Sequence, residues 1–403
     1  MKRILVVGGG AYQMPLIKRI RELGYESYCV DYNPSAVGFE AATGFKCIDV
    51  MDKDACLEYA RELGIDAVMT YGATLTLPTV AYIGEKMGLC TLPVYTSEIS
   101  KSKYKIKKAL SENGLNVKGS FFEMHSIDEA KKCKFEYPCV VKPCDGSGSK
   151  GVSVVENESG LSSALEYAFD SARYGEVYCE GFVRGEEYSV ETFVSGDEVY
   201  VYAVVKTTFE RNGDGNENIS YGHRTPSGLS QELEKLVEEE AKKAVKALGV
   251  NMGSVNFDVI LSDDDKKPYI IDCGIRIGQN LIASHIVPLS RGVSVIDNTI
   301  HLALGEKVDA SPKERKCIAT RLLIYNPGVI SEIKNMDDVV GKNGVVCVVM
   351  RKNVGDVQRV YTDKSDNCGW VIAEGNTPDE AEENAERAKN VLRDYILITP
   401  TEV

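Results

Sequence analysis

The chain of 403 residues lacks the histidine and cysteine spacings from which many metal and redox sites are built. Its four histidines show neither HxxxH nor HExxH spacing, which makes a histidine-based zinc site a poor explanation. Its twelve cysteines contain no CxxC pair, so the sequence predicts reduced, buried thiols rather than zinc ligands or disulfides. The GxxxxGK[ST] pattern of the Walker-type phosphate loop is absent as well.

Long apolar runs and an excess of positive charge are also missing. No apolar run approaches the roughly 18 residues that span a bilayer, and the first ten residues lack the long apolar region of a signal peptide. The formal net charge of −13 would repel a nucleic-acid backbone. We therefore expect a soluble, cytoplasmic protein that binds neither nucleic acid nor membrane, and in which any phosphate is bound by a local site.

The composition that remains is that of an ordinary globular protein, with 43% hydrophobic and 27% charged residues. Strand and helix signals alternate over residues 1–100. The predicted strands are 3–8, 26–31, 67–70 and 90–92, and the predicted helices are 15–23, 54–63 and 79–87. Alternating strands and helices imply a parallel sheet covered by helices, so we predict an α/β domain at 1–100.

The pattern changes after residue 100, where hairpin signals dominate. A helix at 103–113 is followed by strands near 139–142, 152–155, 177–180, 187–194, 198–206, 256–261 and 268–272, with further helices only at 161–169 and 231–248. We predict an α+β domain at 101–305 and a small α+β domain at 306–403. The last domain ends in a charged helix over 377–394, for which Thr377 is the predicted N-cap.

Three glycines follow the first strand, and Asp31 ends the second. This arrangement suggests a dinucleotide-binding turn with Asp31 on a ribose, but Gln13 stands where the third glycine of GxGxxG is required for close packing. The alternatives are a tight turn without function and a substrate loop that includes Gly9 and Gly10. We favour the substrate loop.

The strongest local signal is a buried strand that ends in Lys142 and runs into a loop of alternating glycine and serine. Lys142 could direct its ammonium group at phosphate oxygens, and backbone N–H groups of the loop could close over them. The loop residues concerned are Asp145, Gly146, Ser147, Gly148, Ser149 and Gly151. A plain flexible linker is the alternative.

Further polar residues strengthen the phosphate interpretation. The segment Glu180, Gly181, Phe182 and Val183 could offer backbone groups to an adenine edge, and Glu187 a carboxylate to a ribose. Asp258 and Asp272 fall in strands that we expect to be neighbours, where paired carboxylates would favour Mg²⁺ between them. Arg276 is close enough in sequence to stabilise phosphate charge. The alternative to a metal site is that Asp258 and Asp272 are two exposed aspartates of a hairpin.

In this order, the motifs resemble those of the ATP-grasp superfamily. The branch concerned contains phosphoribosylglycinamide synthetase, the ATPase subunit of phosphoribosylaminoimidazole carboxylase, biotin carboxylase and the carbamoyl-phosphate synthetase large chain. The resemblance implies a pre-ATP-grasp domain at 1–100, an ATP-grasp domain at 101–305 and a C-terminal domain at 306–403.

The resemblance also implies roles for the residues already named. Lys103 and Lys142 would contact nucleotide phosphate, the glycine-rich loop would cover the triphosphate, residues 180–183 would form the adenine hinge, and Glu187 would bind the ribose. Asp258 and Asp272 would bind the metal, and Lys142 and Arg276 would act in catalysis. The implied cofactors are ATP and Mg²⁺, for which Mn²⁺ can substitute.

The activity implied by the resemblance is ligation, in which ATP activates a carboxylate as an acyl phosphate that an amine then captures. Candidate substrate contacts are Gly9, Gly10, Lys206, His223, Arg224 and Arg276. The loops of the first domain and the segment 207–227 are expected to set the substrate. A homodimer is expected. Two departures from the family pattern, Asp272 for glutamate and Gly274 for asparagine, leave open a catalytically degenerate ATP-binding regulator, unless Asn256 or Asn280 supplies the missing oxygen. A biotin carboxylase-like enzyme is the other alternative.

Overall fold

A computed structural model describes residues 1–145, 148, 150–211, 218–361 and 366–400, with the backbone alone for residues 210, 211, 218 and 219. Three regions follow one another along the chain, and each contributes strands to at least one sheet. In the described part of the chain, no helix combines the length and the apolar character needed to cross a membrane.

The N-terminal region is the predicted α/β unit. Its sheet has the order β3-β2-β1-β4 and every pairing is parallel. The elements are β1 (Arg3–Val7), α1 (Met14–Glu22), β2 (Glu26–Asp31), α2 (Gly38–Ala41), β3 (Gly44–Cys47), α3 (Lys53–Leu63), β4 (Ala67–Met69), α4 (Leu77–Met87) and α5 (Val94–Ile99). The prediction of a strand at 90–92 is wrong, because these residues only connect α4 to Pro93, the N-cap of α5.

The central region contains two antiparallel sheets. The smaller sheet, of order β5-β8-β6-β7, carries Lys142 and the hinge. The elements are α6 (Lys103–Glu112), β5 (Phe122–Met124), α7 (Ile127–Ala130), β6 (Cys139–Pro143), β7 (Ser153–Val155), α8 (Leu161–Ser171), β8 (Val177–Gly181), β9 (Gly185–Ser195), β10 (Glu198–Arg211), β11 (Asn218–Thr225), α9 (Gln231–Ala247), β12 (Met252–Ser262), β13 (Pro268–Gly274), α10 (Val287–Arg291) and α11 (Val295–Ala303).

Helices α7, α10 and α11 correct the expectation of only two helices after α6. The sequence of α11 is mostly apolar and half-buried, so it lacks the alternation of charged and apolar residues that marks an exposed helix. Its N-cap could have been predicted, because serine is a favoured N-cap residue. The Ser294 side chain accepts a hydrogen bond from Asp297 N.

The C-terminal region shares its main sheet with the central region. The shared sheet has the order β13-β12-β9-β10-β11-β14-β18-β16, and β11 pairs with β14 through Gly222–Thr225 and Ile318–Arg321. The elements are β14 (Cys317–Leu322), β15 (Gly328–Ile333), β16 (Val345–Met350), β17 (Val357–Gln358), β18 (Gly369–Gly375), α12 (Pro378–Leu392) and β19 (Ile396–Thr399). The predicted cap of the last helix is confirmed, because Thr377 Oγ1 accepts a hydrogen bond from Glu380 N at 3.1 Å.

Both faces of this eight-stranded sheet are packed at its centre. Helix α9 covers one face, where Val237 and Ala241 join a core with Val190 and Phe257. The N-terminal region covers the other face, where Ile4 and Leu16 share a core with Phe193, Tyr202 and Val205. The predicted fold class is therefore confirmed: an α/β N-terminal unit, an α+β central unit and a small α+β C-terminal unit.

Candidate active site

A buried carboxylate between two lysines forms the centre of the candidate site. Glu180 is the penultimate residue of β8, and its two carboxylate oxygens lie 2.5 Å from Lys142 Nζ and 2.7 Å from Lys107 Nζ. Lys142 Nζ also donates to the carbonyl of Ile271 at 2.9 Å, beside Asp272 on β13. The smaller sheet is thus linked electrostatically to the larger one.

The charges of this cluster stabilise one another. Burial alone would raise the pKa of Glu180, but Lys107 and Lys142 outweigh it and lower the pKa to about 2. Burial likewise opposes the charge of Lys142, yet the Glu180 carboxylate raises the pKa of the lysine above its ordinary value. Lys142 is therefore a permanent cation although its side chain is 7% exposed.

The hinge after Glu180 is already fixed by backbone hydrogen bonds. Gly181 N donates to the carbonyl of Lys118 at 3.2 Å, and Phe182 N donates to the carbonyl of Pro138 at 3.1 Å. Glu187 lies half-buried on β9, directly opposite Ile260 of β12.

Asp258 and Asp272 are directly opposite each other on β12 and β13, as the sequence predicted. Lys103, the first residue of α6, places its Nζ 2.6 Å from an oxygen of Asp272. Burial alone would raise the pKa of Asp272, but Lys103 and Lys142 hold it below its usual value. Asp272 is therefore available as an oxygen ligand in ionised form, and together with Asp258 opposite it provides a donor set that fits Mg²⁺.

A polar row continues from these aspartates along the same face. Asn256, two residues from Asp258, donates through Nδ2 to Ser189 Oγ and to Glu191 Oε2, both at 3.0 Å. Asn256 lies directly opposite Gly274 in the pairing of β12 with β13. Glu191 is fully buried, and desolvation raises its pKa to about 8.

Gly274 leaves space that the guanidinium of Arg276 fills. A Cβ at residue 274 would lie 2.9 Å from Arg276 Cζ, so a longer side chain there would require the guanidinium to move. Arg276 Nη1 donates to the carbonyl of Ile277 at 3.1 Å, and its charge acts on Glu191. The Arg276 guanidinium thus lies beside Gly274, the position at which the resemblance implies an asparagine.

The glycine-rich loop is described in part. Gly146, Ser147 and Ser149 lie outside the described residues. Asp145 Oδ1 accepts a hydrogen bond from Arg173 N at 3.3 Å. Gly151 has a φ of +75°, and a Cβ there would lie 2.6 Å from the Cβ of Ser171, so both its conformation and its surroundings require glycine.

The glycine turn after β1 is closed by its own neighbours. Gly9 N donates to Asp31 Oδ2 at 2.8 Å, and Gly10 N donates to Gln13 Oε1 at 3.1 Å. Gln13 Nε2 in turn donates to the carbonyl of Tyr71 at 2.6 Å. Asp31 therefore caps the turn, and the glutamine that breaks the GxGxxG pattern fills the turn with a hydrogen-bonded amide.

The other candidate substrate contacts lie in two different environments. Lys206 forms an ion pair with Glu186. Arg224 is held by Asp379 and Glu382 of α12. His223 is 6% exposed and occupies the opposite face of β11 from Arg224. Residues 212–217 of the predicted specificity segment lie outside the described residues.

Lys107 and Glu191 belong to this site and were not anticipated from the sequence. A signal existed for each of them. Lys107 is four residues after Lys103, on one face of a helix, and Glu191 is four residues after Glu187, on one face of a strand. The spacing of these residues in the sequence could not show that Lys107 pairs with a residue of β8, or that Glu191 pairs with a residue of the loop after β13.

Two family models match the chain. The ATP-grasp domain model matches residues 100–279, which include every lysine, carboxylate and arginine of the polar cluster described above. The model for the L-amino acid ligase C-terminal domain 2 matches residues 321–393, from β14 to the end of α12.

Curated relatives are distant in sequence. The carbamoyl phosphate synthase large chain of Clostridium beijerinckii is 22% identical over 330 residues, or 76% of this chain and 29% of that protein. A formate-dependent phosphoribosylglycinamide formyltransferase of Rhodococcus jostii is 28% identical over 187 residues, or 45% of this chain and 46% of that protein. The chain thus spans between about a quarter and a half of these two relatives.

Solved structures share the fold over the whole chain. An L-amino acid ligase from Bacillus licheniformis aligns with a TM-score of 0.83 at 22% identity and covers 100% of this chain and 99% of its own. The biotin carboxylase domain of 2-oxoglutarate carboxylase from Hydrogenobacter thermophilus, a complex with MgADP, aligns with a TM-score of 0.76 at 18% identity over 99% and 90% of the two chains. ATP with Mg²⁺ is what proteins of this family use. Residues 100–279 therefore match the ATP-grasp domain model, and the fold of the chain is similar to that of the two solved structures above.

Proposed function

We propose that this protein is an ATP- and Mg²⁺-dependent ligase that activates a carboxylate as an acyl phosphate and transfers the acyl group to an amine. The observation that carries this function is the meeting of Lys103 and Lys142 with the opposed pair Asp258 and Asp272. This set can position and neutralise a triphosphate without a nucleophilic side chain. The nearby thiol of Cys273 is no nucleophile, because burial holds its pKa well above the ordinary range.

In the first step an oxygen of the carboxylate attacks the γ-phosphorus, and the bond from that phosphorus to the β–γ bridging oxygen breaks, releasing ADP. In the second step the amine nitrogen attacks the acyl carbon, phosphate leaves, and the nitrogen gives its proton to solvent. Lys142 and Lys103 place positive charge next to the phosphate oxygens, and Arg276 places positive charge next to the acyl group. Mg²⁺ held by Asp258 and Asp272 would add positive charge at the same oxygens.

Lys103 must change partner during this reaction. Its ammonium group contacts Asp272 in the structure, and a phosphate oxygen would replace that carboxylate when nucleotide binds. Ser102 caps α6 by accepting a hydrogen bond from Lys105 N, so the helix start that carries Lys103 stays fixed while the side chain moves.

The proposal extends to the surroundings of the enzyme. A homodimer in the cytoplasm is expected, with ATP, a small carboxylate and a small amine as its ligands. All twelve cysteines are unpaired in the structure, which agrees with a reducing compartment.

The test is phosphate release from Mg·ATP with a panel of carboxylates, each paired with a panel of amines. A ligase releases phosphate only when one acid and one amine are both present, and Lys142→Ala abolishes the release. Lys105→Ala is the matched control, because Lys105 is an exposed lysine on α6 and should leave the rate unchanged.

Two results would contradict the ligase. Tight binding of Mg·ATP without release for any pair would favour the regulatory alternative, in which the guanidinium above Gly274 has replaced a metal ligand for good. Release without any amine, but only with bicarbonate, would favour a carboxylase.

A further inference from the structure

Two lysines from different elements hold the same carboxylate. Glu180 on β8 has Lys142 of β6 at one carboxylate oxygen and Lys107 of α6 at the other, and all three side chains are buried. We call these three residues the Glu180 cluster. Two positive charges and one negative charge leave it with a surplus of one positive charge, which water screens little because of the burial.

The two ammonium groups are also fixed to the backbone of β13. Lys107 Nζ donates to the carbonyl of Ile270 at 2.5 Å, and Lys142 Nζ donates to the carbonyl of Ile271 at 2.9 Å. The register between β12 and β13 skips Ile271, a local irregularity of the kind that a β-bulge produces. Successive carbonyls of one strand therefore hold both lysines in place.

Tyr178 shows which contribution of Lys107 is its own. The Tyr178 hydroxyl donates to the same oxygen of Glu180 that Lys107 contacts, at 2.9 Å. Tyr178 is fully buried, and burial raises the pKa of its phenol well above the ordinary value, so the hydroxyl keeps its proton. Tyr178 thus duplicates the hydrogen bond of Lys107 to this oxygen but not its charge.

The charge of Lys107 decides how much of Lys142 a phosphate can use. Lys142 with Glu180 alone would be a neutral buried ion pair, and a phosphate oxygen would have to compete with the carboxylate for the ammonium group. With Lys107 present, Glu180 is shared between two cations. A full positive charge then remains in the Glu180 cluster for charge-assisted hydrogen bonds to phosphate.

We infer, on the basis of the nucleotide site of the ligase proposed above, that Lys107 is a positioning residue that shares Glu180 with Lys142 and so leaves Lys142 its charge for the nucleotide phosphates. Lys107 acts through Glu180 and Lys142 and not by contact with the nucleotide. It therefore determines how much the phosphates contribute to nucleotide binding, and leaves the contribution of the adenosine unchanged.

Ligands with and without phosphate measure this effect separately from general stability. The full chain in Mg²⁺ is titrated by calorimetry with ADP and with adenosine. Lys107→Met should weaken ADP binding by about tenfold to a hundredfold, the worth of one hydrogen bond to a charged group, and should leave adenosine binding unchanged. Lys108→Met is the matched control, because Lys108 is the exposed next residue of α6 and should change neither affinity.

A double variant separates the charge of Lys107 from its role in tying α6 to the sheet. Lys107→Met combined with Glu180→Gln removes one positive and one negative charge, so the Glu180 cluster again carries one positive charge, on Lys142. ADP affinity should then recover by about tenfold or more relative to Lys107→Met alone. A purely structural tie predicts the opposite result, because the double variant loses a second member of the network.

Urea unfolding of each variant reports stability independently of binding. If Lys107→Met does not fold, the double variant decides alone, and an ADP affinity more than about tenfold below that of the natural protein would overturn the inference. Equal weakening of ADP and adenosine by Lys107→Met would overturn it too, as would a double variant that binds ADP no better than the single one.

Phosphate release distinguishes failure of this inference from failure of the ligase. Unchanged ADP affinity in Lys107→Met, with phosphate release intact for one acid–amine pair, would keep the ligase and overturn the inference. Selective loss of ADP affinity in this variant, with no release by the natural protein for any pair, would keep the inference and overturn the ligase. A natural protein that does not bind ADP in Mg²⁺ would overturn both.

Discussion

Lysine side chains set the charge of this site from positions that water hardly reaches. Lys107 and Lys142 are 5% and 7% exposed, and their shared partner Glu180 is 5% exposed. Removing one member of such a cluster leaves another charge buried without full compensation. Changes at these residues should therefore affect stability as well as activity.

Lys103 is different, because its side chain bonds to Asp272 at the edge of the site. Lys103→Ala should lower kcat by about 10² to 10³, the usual effect of removing one group that stabilises transition-state charge. Lys105→Ala, on the exposed side of the same helix, should not. Phosphate release with the preferred acid–amine pair measures both, and equal rates for the two variants would contradict the role of Lys103.

Glu191 makes stability depend on pH. Its pKa is raised by burial from an ordinary value of 4.5 to about 8, so between these values the folded state binds a proton that the unfolded state releases. The stabilisation of the folded state by this bound proton is present at low pH and is lost as the pH rises to about 8. The glutamine of Glu191→Gln cannot ionise. The free energy of unfolding of this variant minus that of the natural protein should therefore increase as the pH rises from 5 to 8.5.

Urea unfolding of both proteins at several pH values tests the sign. Taking the difference between the two cancels the titration of all other groups. A difference that stays constant from pH 5 to 8.5, or falls, would show that Glu191 is ionised in the folded protein at neutral pH.

Individual elements were predictable to the extent that their signals are local. Most strands and helices of residues 1–88, the cap at Thr377 and the pairing of Asp258 with Asp272 follow from periodicity and from turn residues close in sequence, whereas α2 and β3 were not predicted. Contacts between distant segments were not predictable in this way. The bonds of Glu180 to α6 join residues more than seventy positions apart, and nothing in one sequence specifies that register.

Helix α12 shows how an element far from the chemistry is attached. Glu382 accepts from Arg224, Arg321 and Thr208, which come from three different strands. Glu382→Ala should cost about 1 to 3 kcal/mol, because it leaves two mostly buried guanidinium groups with fewer partners. Glu383→Ala, exposed on the same helix, should stay within about 0.5 kcal/mol. Denaturant unfolding measures both, and equal losses would contradict the network.

The whole molecule is less divisible than three predicted domains suggest. The eight-stranded sheet runs from β13 to β16 without interruption, through the pairing of β11 with β14. The sequence pattern gave no sign of this continuity, because the pairing joins residues about a hundred positions apart.

A chain that ends at residue 305 should therefore aggregate. It would expose the edge of β11 and the buried side chains beneath α12, and unpaired edges of this kind recruit other strands. Size-exclusion chromatography of residues 1–305 checks this expectation, and co-expression of residues 306–403 should restore a soluble complex. A monodisperse, folded 1–305 fragment would show that the regions fold independently.

The ion pair between Lys103 and Asp272 has a thermodynamic consequence for the assembled complex. A metal ion that binds to Asp272 must displace an ammonium group, and that group needs a new anion, which only the nucleotide provides. Metal and nucleotide therefore bind with positive coupling, each raising the affinity of the other by the same factor. Free Mn²⁺ should bind weakly to the protein alone and tightly once ADP is present, so Lys103 and Asp272 keep each other as partners until both ligands arrive together.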